Sequence, residues 1–339
     1  MKNIFDYTFD ELNELILELG EKSFRTKQIW EWLYIHKVTS FSDMTNLSKD
    51  LISKLNDKVS FDYIKLKTKQ ESDLTNKYLF ELIDGNFIET VLMRHDYGLS
   101  ICVSSEVGCN MGCKFCESGR LKKVRNLDAY EIVEQIMLIE KDLGERIDSV
   151  VVMGIGEPFD NYDAIIRFIK IINNPFGLAI GARHITVSTC GLIPKIREFM
   201  MLPLQVNLAI SLHAPNDELR SKIMPINKVY PLKDLIEVLK EYIAKTNRRI
   251  TIEYVMLKEV NDSLECAEEL SNLLRGMNAY VNLIPYNETS HIEFKKSSKD
   301  QIRSFYDYLK KKGINVTIRK EFGSLIDAAC GQLRAREGD

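Results

Sequence analysis

The sequence predicts an α/β fold in which parallel strands alternate with crossover helices, preceded by a small helical domain and a β-hairpin. Three observations support this fold. Apolar residues recur at helical spacing in the first 60 positions, two apolar runs flank the turn signal Asp84-Gly85, and β-rich runs alternate with helical segments after position 98. Six or seven strand-helix units suit an open or complete α/β barrel, and a doubly wound sheet would show the same alternation.

Residues 1–60 are predicted to form a helical accessory domain. Its first helix begins with the capping-box sequence Thr8-Phe9-Asp10-Glu11, and Gly20 can close it. Apolar residues recur at helical spacing in three places: Leu12, Leu15, Ile16 and Leu19, then Ile29, Trp30 and Leu33, then Leu51, Ile52 and Leu55 after Ser48.

The next segment, residues 61–98, is predicted to be a β-hairpin connector. Two short apolar runs extend from Tyr78 to Met93 on either side of Asp84-Gly85, and this dipeptide between such runs is a strong hairpin signal. Glu89 lies on the second strand of the hairpin.

Residues 99–339 are predicted to form the barrel. Its strands are indicated by seven runs: Leu99–Ser104, Ser149–Met153, His184–Thr189, Val206–Ser211, Ile250–Met256, Val281–Ile284 and Asn315–Arg319. Helices between them include Asp128–Leu143 and Lys299–Lys312. Polar residues and glycines follow several strands, and the carboxyl ends of parallel strands meet on one side of a barrel or sheet. We therefore expect one ligand site built from Gly154 to Glu157, Ser188-Thr189, Ser211-Leu212-His213 and Asn287.

Composition limits the cellular setting. The chain has 339 residues, a net charge of -3 and no basic field, so any contact with nucleic acid must use local patches. It contains no run of roughly 20 apolar residues, and its N-terminus has no basic start followed by an apolar stretch. We expect a cytoplasmic protein with no membrane association.

The seven cysteines favour metal or redox chemistry over structural disulfides. Cys109, Cys113 and Cys116 form C-x-x-x-C-x-x-C in the loop after the first barrel strand. Three thiolates on an iron-sulfur cube leave one iron open for a chelating small molecule. A structural zinc knuckle is the alternative, but zinc prefers four closed ligands and no further Cys or His follows at short spacing.

An open iron can bind the amino and carboxylate groups of S-adenosylmethionine (SAM), and electron transfer then yields a deoxyadenosyl radical. Gly156-Glu157 is the candidate for holding the amino group. Cys102 precedes the cluster motif, and Cys330 lies in a small-residue segment after the last strand. We assign Cys190 and Cys266 as structural.

From Leu19 to Leu333 the chain resembles the RlmN and Cfr family of radical SAM RNA methyltransferases. The resemblance is carried by four segments: Cys102-Val103-Ser104-Ser105 with the cluster motif, Met153 to Pro158, Ser211 to Asn216, and Asp327 to Leu333. It implies a radical SAM (β/α) partial barrel with one three-cysteine 4Fe-4S cluster.

The resemblance also implies roles for individual residues. One SAM methylates Cys330, a second supplies the radical, and the resulting methylene joins an adenine carbon. Cys102 then releases the product through a transient disulfide with Cys330. Glu89 is the implied proton acceptor, and the implied SAM contacts are Gly156, Glu157, Ser188, Ser211, Leu212, His213 and Asn287.

The implied partners are 23S rRNA, tRNA as a second substrate, an electron donor such as flavodoxin or ferredoxin, and a thiol reductant, with the enzyme a monomer. Candidate RNA contacts are cations beside tryptophans, namely Lys22, Arg25 and Lys27 with Trp30 and Trp32, and a basic patch of Lys122, Lys123 and Arg125.

The loop from Glu117 to Arg125 departs from typical RlmN members, which have smaller residues and a second glycine there. This difference concerns the choice of target more than the mechanism. Methylation of carbon 2 of adenine is the first expectation. Cfr-type methylation of carbon 8 is the alternative, and a non-catalytic iron-sulfur RNA-binding protein is the alternative of another class.

Overall fold

The structure is a computed structural model that describes residues 1–319. Its N-terminal part contains three helices, α1 (Phe9–Glu18), α2 (Phe24–Tyr34) and α3 (Lys49–Lys58). The predicted capping box is confirmed, because the Thr8 side chain accepts from the Glu11 backbone and the Glu11 side chain accepts from the Thr8 backbone. Two short strands, β1 (Lys2–Asn3) and β2 (Val59–Ser60), pair in parallel and bring the ends of this helical part together.

Three antiparallel strands follow, β3 (Lys65–Ser72), β4 (Thr75–Glu81) and β5 (Phe87–His95). The hairpin predicted around Asp84-Gly85 is present between β4 and β5, and Gly85 has a φ of 80°, which favours glycine. Strand β3 was not predicted. Its side chains are mostly exposed, so it lacks the apolar alternation that identifies a half-buried strand.

The remaining strands alternate with helices, as the sequence predicts. The strands are β6 (Gly98–Val103), β7 (Glu106–Val107), β8 (Arg125–Asn126), β9 (Ser149–Val152), β10 (Ile185–Thr189), β11 (Asn207–Ser211), β12 (Ile250–Met256), β13 (Ala279–Pro285) and β14 (Asn315–Ile318). The helices are α4 (Ala129–Leu143), α5 (Tyr162–Asn173), α6 (Ile193–Phe199), α7 (Asp217–Ile223), α8 (Leu232–Thr246), α9 (Leu264–Leu273) and α10 (Lys299–Lys311).

One ten-stranded sheet has the order β14-β13-β12-β11-β10-β9-β6-β5-β4-β3. Seven of these strands, β6 and β9 to β14, are parallel and adjacent in chain order. A doubly wound sheet would reverse its strand order at a switch point, so this arrangement identifies a partial barrel. Strands β3 to β5 extend the same sheet beside β6.

The helical part packs against the outside of the barrel through a shared apolar cluster and through polar contacts. On α5, Arg167 donates to the Asp6 backbone oxygen and forms an ion pair with Glu11, and the Tyr130 backbone donates to the Asp6 carboxyl. No helix in residues 1–319 is long and apolar enough to cross a membrane.

Candidate active site

A single pocket opens at the carboxyl ends of the parallel strands. Among the residues in its wall are Cys102, Cys109, Cys113, Cys116, Gly156, Glu157, Ser188, Ser211, His213 and Asn287. Most of the residues predicted for the site therefore lie together. Leu212 is buried behind the wall, where its backbone N-H donates to the Glu253 carbonyl oxygen. Cys330 lies outside the described residues.

The cluster motif lies on a tightly wound loop whose base is closed by the antiparallel pair β7 and β8. A methyl group at Gly108, where φ is 76°, would lie 2.3 Å from the Lys122 carbonyl oxygen. At Gly119 it would lie 2.6 Å from the Cys113 carbonyl oxygen. The two glycines allow the loop to fold back on itself, which turns three cysteines toward one pocket.

The chemistry of these three thiols fits a metal cluster. Burial raises the pKa of Cys109 to about 12 and raises the pKa of Cys113 well above its usual value. Such thiols ionise when iron binds and displaces their protons. Within residues 1–319, no group of three Cys, His, Asp or Glu side chains is arranged to hold a single metal ion.

Glu157 is fixed inside the pocket wall. Its carboxylate accepts from the backbone N-H groups of Phe159, at 3.0 Å, and of Cys190, at 2.8 Å. Burial raises the pKa of Glu157, and these hydrogen bonds oppose that shift. The side chains of Thr189 and Cys190 also donate to this carboxylate, which lines the pocket. Cys190, assigned as structural, also lines this pocket.

A buried charge network joins the cluster loop to the Gly156-Glu157 loop. Glu106 accepts from the Glu157 backbone N-H at 3.0 Å, and its other oxygen lies 2.5 Å from Lys123 Nζ. Lys123 also contacts Asp160 at 2.7 Å. Burial raises the pKa of Glu106 to about 7, although Lys123 opposes the shift. The network fixes the position of the two loops relative to each other. Nothing in the local sequence indicated this network.

His213 is held in an unusual backbone conformation, with a φ of 58°. Its Nδ1 accepts from the Val255 backbone N-H at 3.0 Å, so in the neutral ring Nε2 carries the proton. Burial, reinforced by the nearby Arg220 charge, lowers the pKa of His213 to about 3. The ring of Phe115, from the cluster loop, packs edge-on against it with centroids 4.8 Å apart. His213 is therefore a neutral donor beside the cluster loop.

Ser188 and Ser211 end the adjacent parallel strands β10 and β11, and their hydroxyl oxygens are 3.5 Å apart. Asn287 lies just beyond β13 in the same wall. Glu253, on β12, is a further carboxyl in the wall that the sequence did not single out, and it accepts from Asn282 at 2.8 Å. The strand ends thus supply hydroxyl, amide and carboxyl groups to one ligand.

Cys102 and Glu89 lie on the neighbouring strands β6 and β5. Cys102 is opposite Val91 in the strand register, and Val91 and Met93 line the pocket. Glu89 lies on the same face as Val91, two residues nearer the carboxyl end of the barrel. Its carboxyl is 3% exposed and pairs with Lys77 at 3.1 Å, so it is not a solvated surface charge.

Arg220 on α7 was not predicted, although it is fully buried behind the pocket. Its guanidinium donates to the carbonyl oxygens of Cys190, Leu212 and Ser211, at 2.6, 3.1 and 3.3 Å, and to the Asn227 side chain at 2.8 Å. These carbonyls belong to the ends of β10 and β11. Arg220 therefore ties together the strand ends that carry Ser188, Ser211 and His213.

Substitution of Arg220 with methionine is expected to lower the free energy of unfolding by about 3 kcal/mol or more, because three buried carbonyl oxygens lose their donor. SAM affinity is expected to fall about tenfold as the strand ends move. Urea denaturation of the apoprotein and SAM titration measure the two effects. Arg248→Met is the matched control, since this arginine also donates to a carbonyl oxygen but is half-exposed. Equal urea midpoints for wild type and Arg220→Met would contradict the assigned role.

The candidate RNA contacts near the N-terminus and the cluster are largely used within the protein. Trp30 is fully buried and cannot stack on a base. Lys123 pairs with Glu106 and Asp160, while Arg125 pairs with Asp84 and Glu131. The expected basic patch beside the cluster is thus mostly neutralised by carboxylates, a result of folding that charge counting along the chain does not show.

Comparison with known proteins gives the family. The Radical SAM superfamily profile matches residues 103–272, and the profile described as "Ribosomal RNA large subunit methyltransferase N-terminal domain" matches residues 2–60. A crystal structure of a radical SAM methyltransferase from Sphaerobacter thermophilus superposes with a TM-score of 0.94 and 41% identity, covering 99% of this chain and 100% of that one.

Three curated relatives are each called "Probable dual-specificity RNA methyltransferase RlmN". The protein of Streptococcus thermophilus strain CNRZ 1066 is 57% identical, over 98% of this chain and 88% of its own length. Those of Enterococcus faecalis and Acholeplasma laidlawii are 56% and 54% identical, over 99% and 98% of this chain and 97% and 99% of their own lengths. The chain belongs to the RlmN family of radical SAM RNA methyltransferases.

Proposed function

We propose that this enzyme methylates carbon 2 of an adenine in 23S rRNA, near the peptidyl transferase centre, and also acts on tRNA. The observation that carries the proposal is the single pocket that unites the three cluster cysteines, the predicted SAM contacts and Cys102. The relatives described as dual-specificity RNA methyltransferases support the two RNA substrates.

Cys109, Cys113 and Cys116 would hold the 4Fe-4S cluster that the family implies. When bound, the cluster supplies the electron that cleaves SAM to methionine and a deoxyadenosyl radical. The three thiols come from one loop of the pocket wall, and the proposed SAM-binding residues come from the strand ends of the same wall.

The proposed SAM contacts divide by chemistry. Glu157 accepts from the SAM amino group beside Gly156, in a geometry set by its two backbone hydrogen bonds. Ser188, Ser211 and Asn287 offer polar groups from neighbouring strand ends, and His213 offers the Nε2 proton. Leu212 has a buried side chain and backbone groups that are bonded within the protein, so its proposed role is to position its neighbours Ser211 and His213.

Transfer of the methyl group would use the chain's own thiols and one carboxyl. The Cys330 thiolate attacks the methyl carbon of a first SAM and displaces S-adenosylhomocysteine, and the new S-methyl group later loses a hydrogen atom to the deoxyadenosyl radical formed from a second SAM. The methylene carbon then bonds to adenine, the radical adduct gives up one electron, which the oxidised cluster would accept, and Glu89 accepts the ring proton. Cys102 attacks the Cys330 sulfur, so the C-S bond breaks, the carbon takes up a proton to become the methyl group, and a Cys102 to Cys330 disulfide remains. The position of Cys102 in the pocket wall supports this role.

The cycle requires two further partners, and we propose both. An electron donor such as flavodoxin or ferredoxin reduces the cluster. A thiol reductant reopens the Cys102 to Cys330 disulfide after each turnover. We propose that the enzyme works as a monomer in the cytoplasm.

The test is to incubate the anaerobically reconstituted enzyme with SAM, reductant and 23S rRNA or tRNA, then digest the RNA and identify methylated adenosines by mass spectrometry. We expect 2-methyladenosine from both RNAs, mapping near the peptidyl transferase centre in 23S rRNA. Reactions with unreconstituted protein provide the control. An 8-methyladenosine product would assign Cfr-type chemistry instead, and an intact cluster that cleaves SAM without methylating RNA would refute the proposal.

A further inference from the structure

The end of the barrel opposite the pocket has an unusual charge distribution. Five loops lead into the amino ends of β10 to β14, covering residues 174–184, 200–206, 247–249, 274–278 and 312–314. None of these loops contains Asp or Glu, although the chain has 49 such residues. The same loops carry Arg183, Arg248, Arg249, Arg275 and Lys312, and Lys311 ends α10 beside them. We call these six cations the basic rim.

The arginines of the basic rim make their contacts with uncharged groups. Arg183 donates to the Gln205 side chain at 2.7 Å, and Arg248 donates to the Gln205 carbonyl oxygen at 2.8 Å. Arg275 donates to the Asn272 side chain, and Arg249 lies over the Tyr280 ring, 4.8 Å from its centroid. In the part of the chain that the structure describes, no rim cation forms an ion pair with a carboxylate. Its positive charge is therefore not cancelled locally.

The topology places the rim cations in one row. Strands β10 to β14 are consecutive neighbours in the sheet, and the loops before parallel strands all lie at the same end. Neighbouring strands are about 4.8 Å apart, so five strands span roughly 20 Å. Gln205 bridges Arg183 and Arg248, which shows that the row is continuous across β11.

Several cations elsewhere in the described residues form ion pairs with carboxylates. Near the pocket, Lys123 and Arg125 are each paired with two carboxylates, and in the helical part Arg25 and Lys27 pair with Glu21 and Glu31. The rim differs from these pairs, because the contacts of Arg183, Arg248, Arg249 and Arg275 are with uncharged groups and an aromatic ring.

The rim also lies next to the helical N-terminal part. Phe176, in the loop before β10, packs against Phe9 with centroids 5.4 Å apart, and Lys27 lies 4.7 Å from the Phe176 ring centroid. The loop that carries Arg183 thus forms part of the contact with this domain. A bound polyanion could pass from one surface to the other.

We propose that the basic rim binds the phosphate backbone of RNA, in a part of the substrate distant from the base that enters the pocket. Arginine and lysine beside half-buried tyrosine rings suit phosphates rather than a folded acidic protein. The inference rests on RNA being the substrate but not on which adenine carbon is methylated. The proposed RNA contact is separate from the pocket, because no rim residue lines the pocket.

The position of the rim determines which RNAs reach it. Strand β12 has seven residues, so the two ends of the barrel are separated by roughly 23 Å at about 3.3 Å per residue. A short stem-loop whose target base occupies the pocket does not extend around the barrel to the rim. A large folded RNA does, so the rim favours substrates with extended structure around the target.

The test uses the reconstituted full-length enzyme and a triple variant, Arg249→Gln, Arg275→Gln and Lys311→Gln. All three side chains are exposed and none anchors the fold. The control triple variant, Lys54→Gln, Arg197→Gln and Arg303→Gln, removes the same charge from exposed cations that are paired with Asp50, Glu241 and Asp307. Binding to full-length 23S rRNA transcript and to a short target stem-loop is measured across salt concentrations.

We expect the rim variant to bind the 23S transcript at least about tenfold more weakly near 0.15 M salt. The slope of log K against log salt should fall by about 2 to 3, because each lost phosphate contact removes roughly 0.7 to 0.9. Stem-loop binding and SAM cleavage should match the wild type, and the control should match it throughout. Equal weakening by the control, equal weakening on the stem-loop, or an unchanged salt slope would each overturn the inference. The methylated carbon is read separately, so failure of the carbon-2 assignment leaves this result interpretable.

Discussion

Replacement of Cys113 with alanine is expected to abolish cluster assembly and to lower RNA methylation by more than about 100-fold. Loss of an outer partner of a metal site costs 10- to 100-fold, and loss of one of only three ligands should cost more. Cys113 lines the pocket wall, where burial raises the pKa of its thiol, and it lies between the other two cysteines of the motif. Iron and sulfide content, the electron paramagnetic resonance signal of the reduced protein and deoxyadenosine release measure the loss.

Cys266→Ala is the matched control for this experiment. Cys266 is also buried, but it lies on α9 in the hydrophobic core and not in the pocket wall. It should retain full iron content and activity with a modest loss of stability. A Cys113→Ala protein that still binds a complete cluster would show that the three-thiolate assignment is wrong.

Substitution of either Cys330 or Cys102 is expected to remove the methylated product, but at different stages. Cys330→Ala has no sulfur to carry the methyl group, so neither product nor protein-RNA adduct should form. Cys102→Ala should still form the adduct, because only the release step needs its thiol. Product formation should slow by at least about 100-fold in both variants, which corresponds to an activation free energy higher by roughly 2.7 kcal/mol.

Denaturing gels with labelled RNA distinguish the two variants, since a covalent adduct migrates with the protein. Cluster content and SAM binding should remain at wild-type levels in both. Adduct formation by Cys330→Ala would assign the carrier role to another residue. Normal turnover by Cys102→Ala would remove that cysteine from the release step.

Much of the fold could be predicted because its signals are local. The strand-helix alternation, the hairpin turn at Asp84-Gly85 and the capping box at Thr8 each depend on neighbouring residues, and all three are present. Strand β3 was missed because it is an edge strand rich in lysine, with exposed side chains on both faces. Edge charges of this kind prevent unwanted strand pairing. They also remove the apolar alternation by which a strand is recognised in a sequence.

The candidate site was predictable only in part. Cys109, Cys113, Cys116, Gly156 and Glu157 belong to short motifs whose spacing indicates their chemistry. Arg220 and Glu106 could not be identified in this way, because their partners are backbone groups and charges far along the chain. The prediction of a basic patch at Lys123 and Arg125 was wrong for the same reason, because folding places carboxylates beside both cations.

The alternation of the barrel strands and helices, the three-cysteine motif and the family resemblance could be read from the amino-acid sequence, because each is encoded in local spacing and residue type. The winding of the sheet in one direction, the meeting of Cys102 and the strand ends in one pocket, and the pairing of charges became visible in the folded protein. Those properties depend on contacts between residues distant in the chain. The burial and charge pairing of a group are set by the residues packed against it. Those residues are distant in the chain, so the local sequence does not identify them.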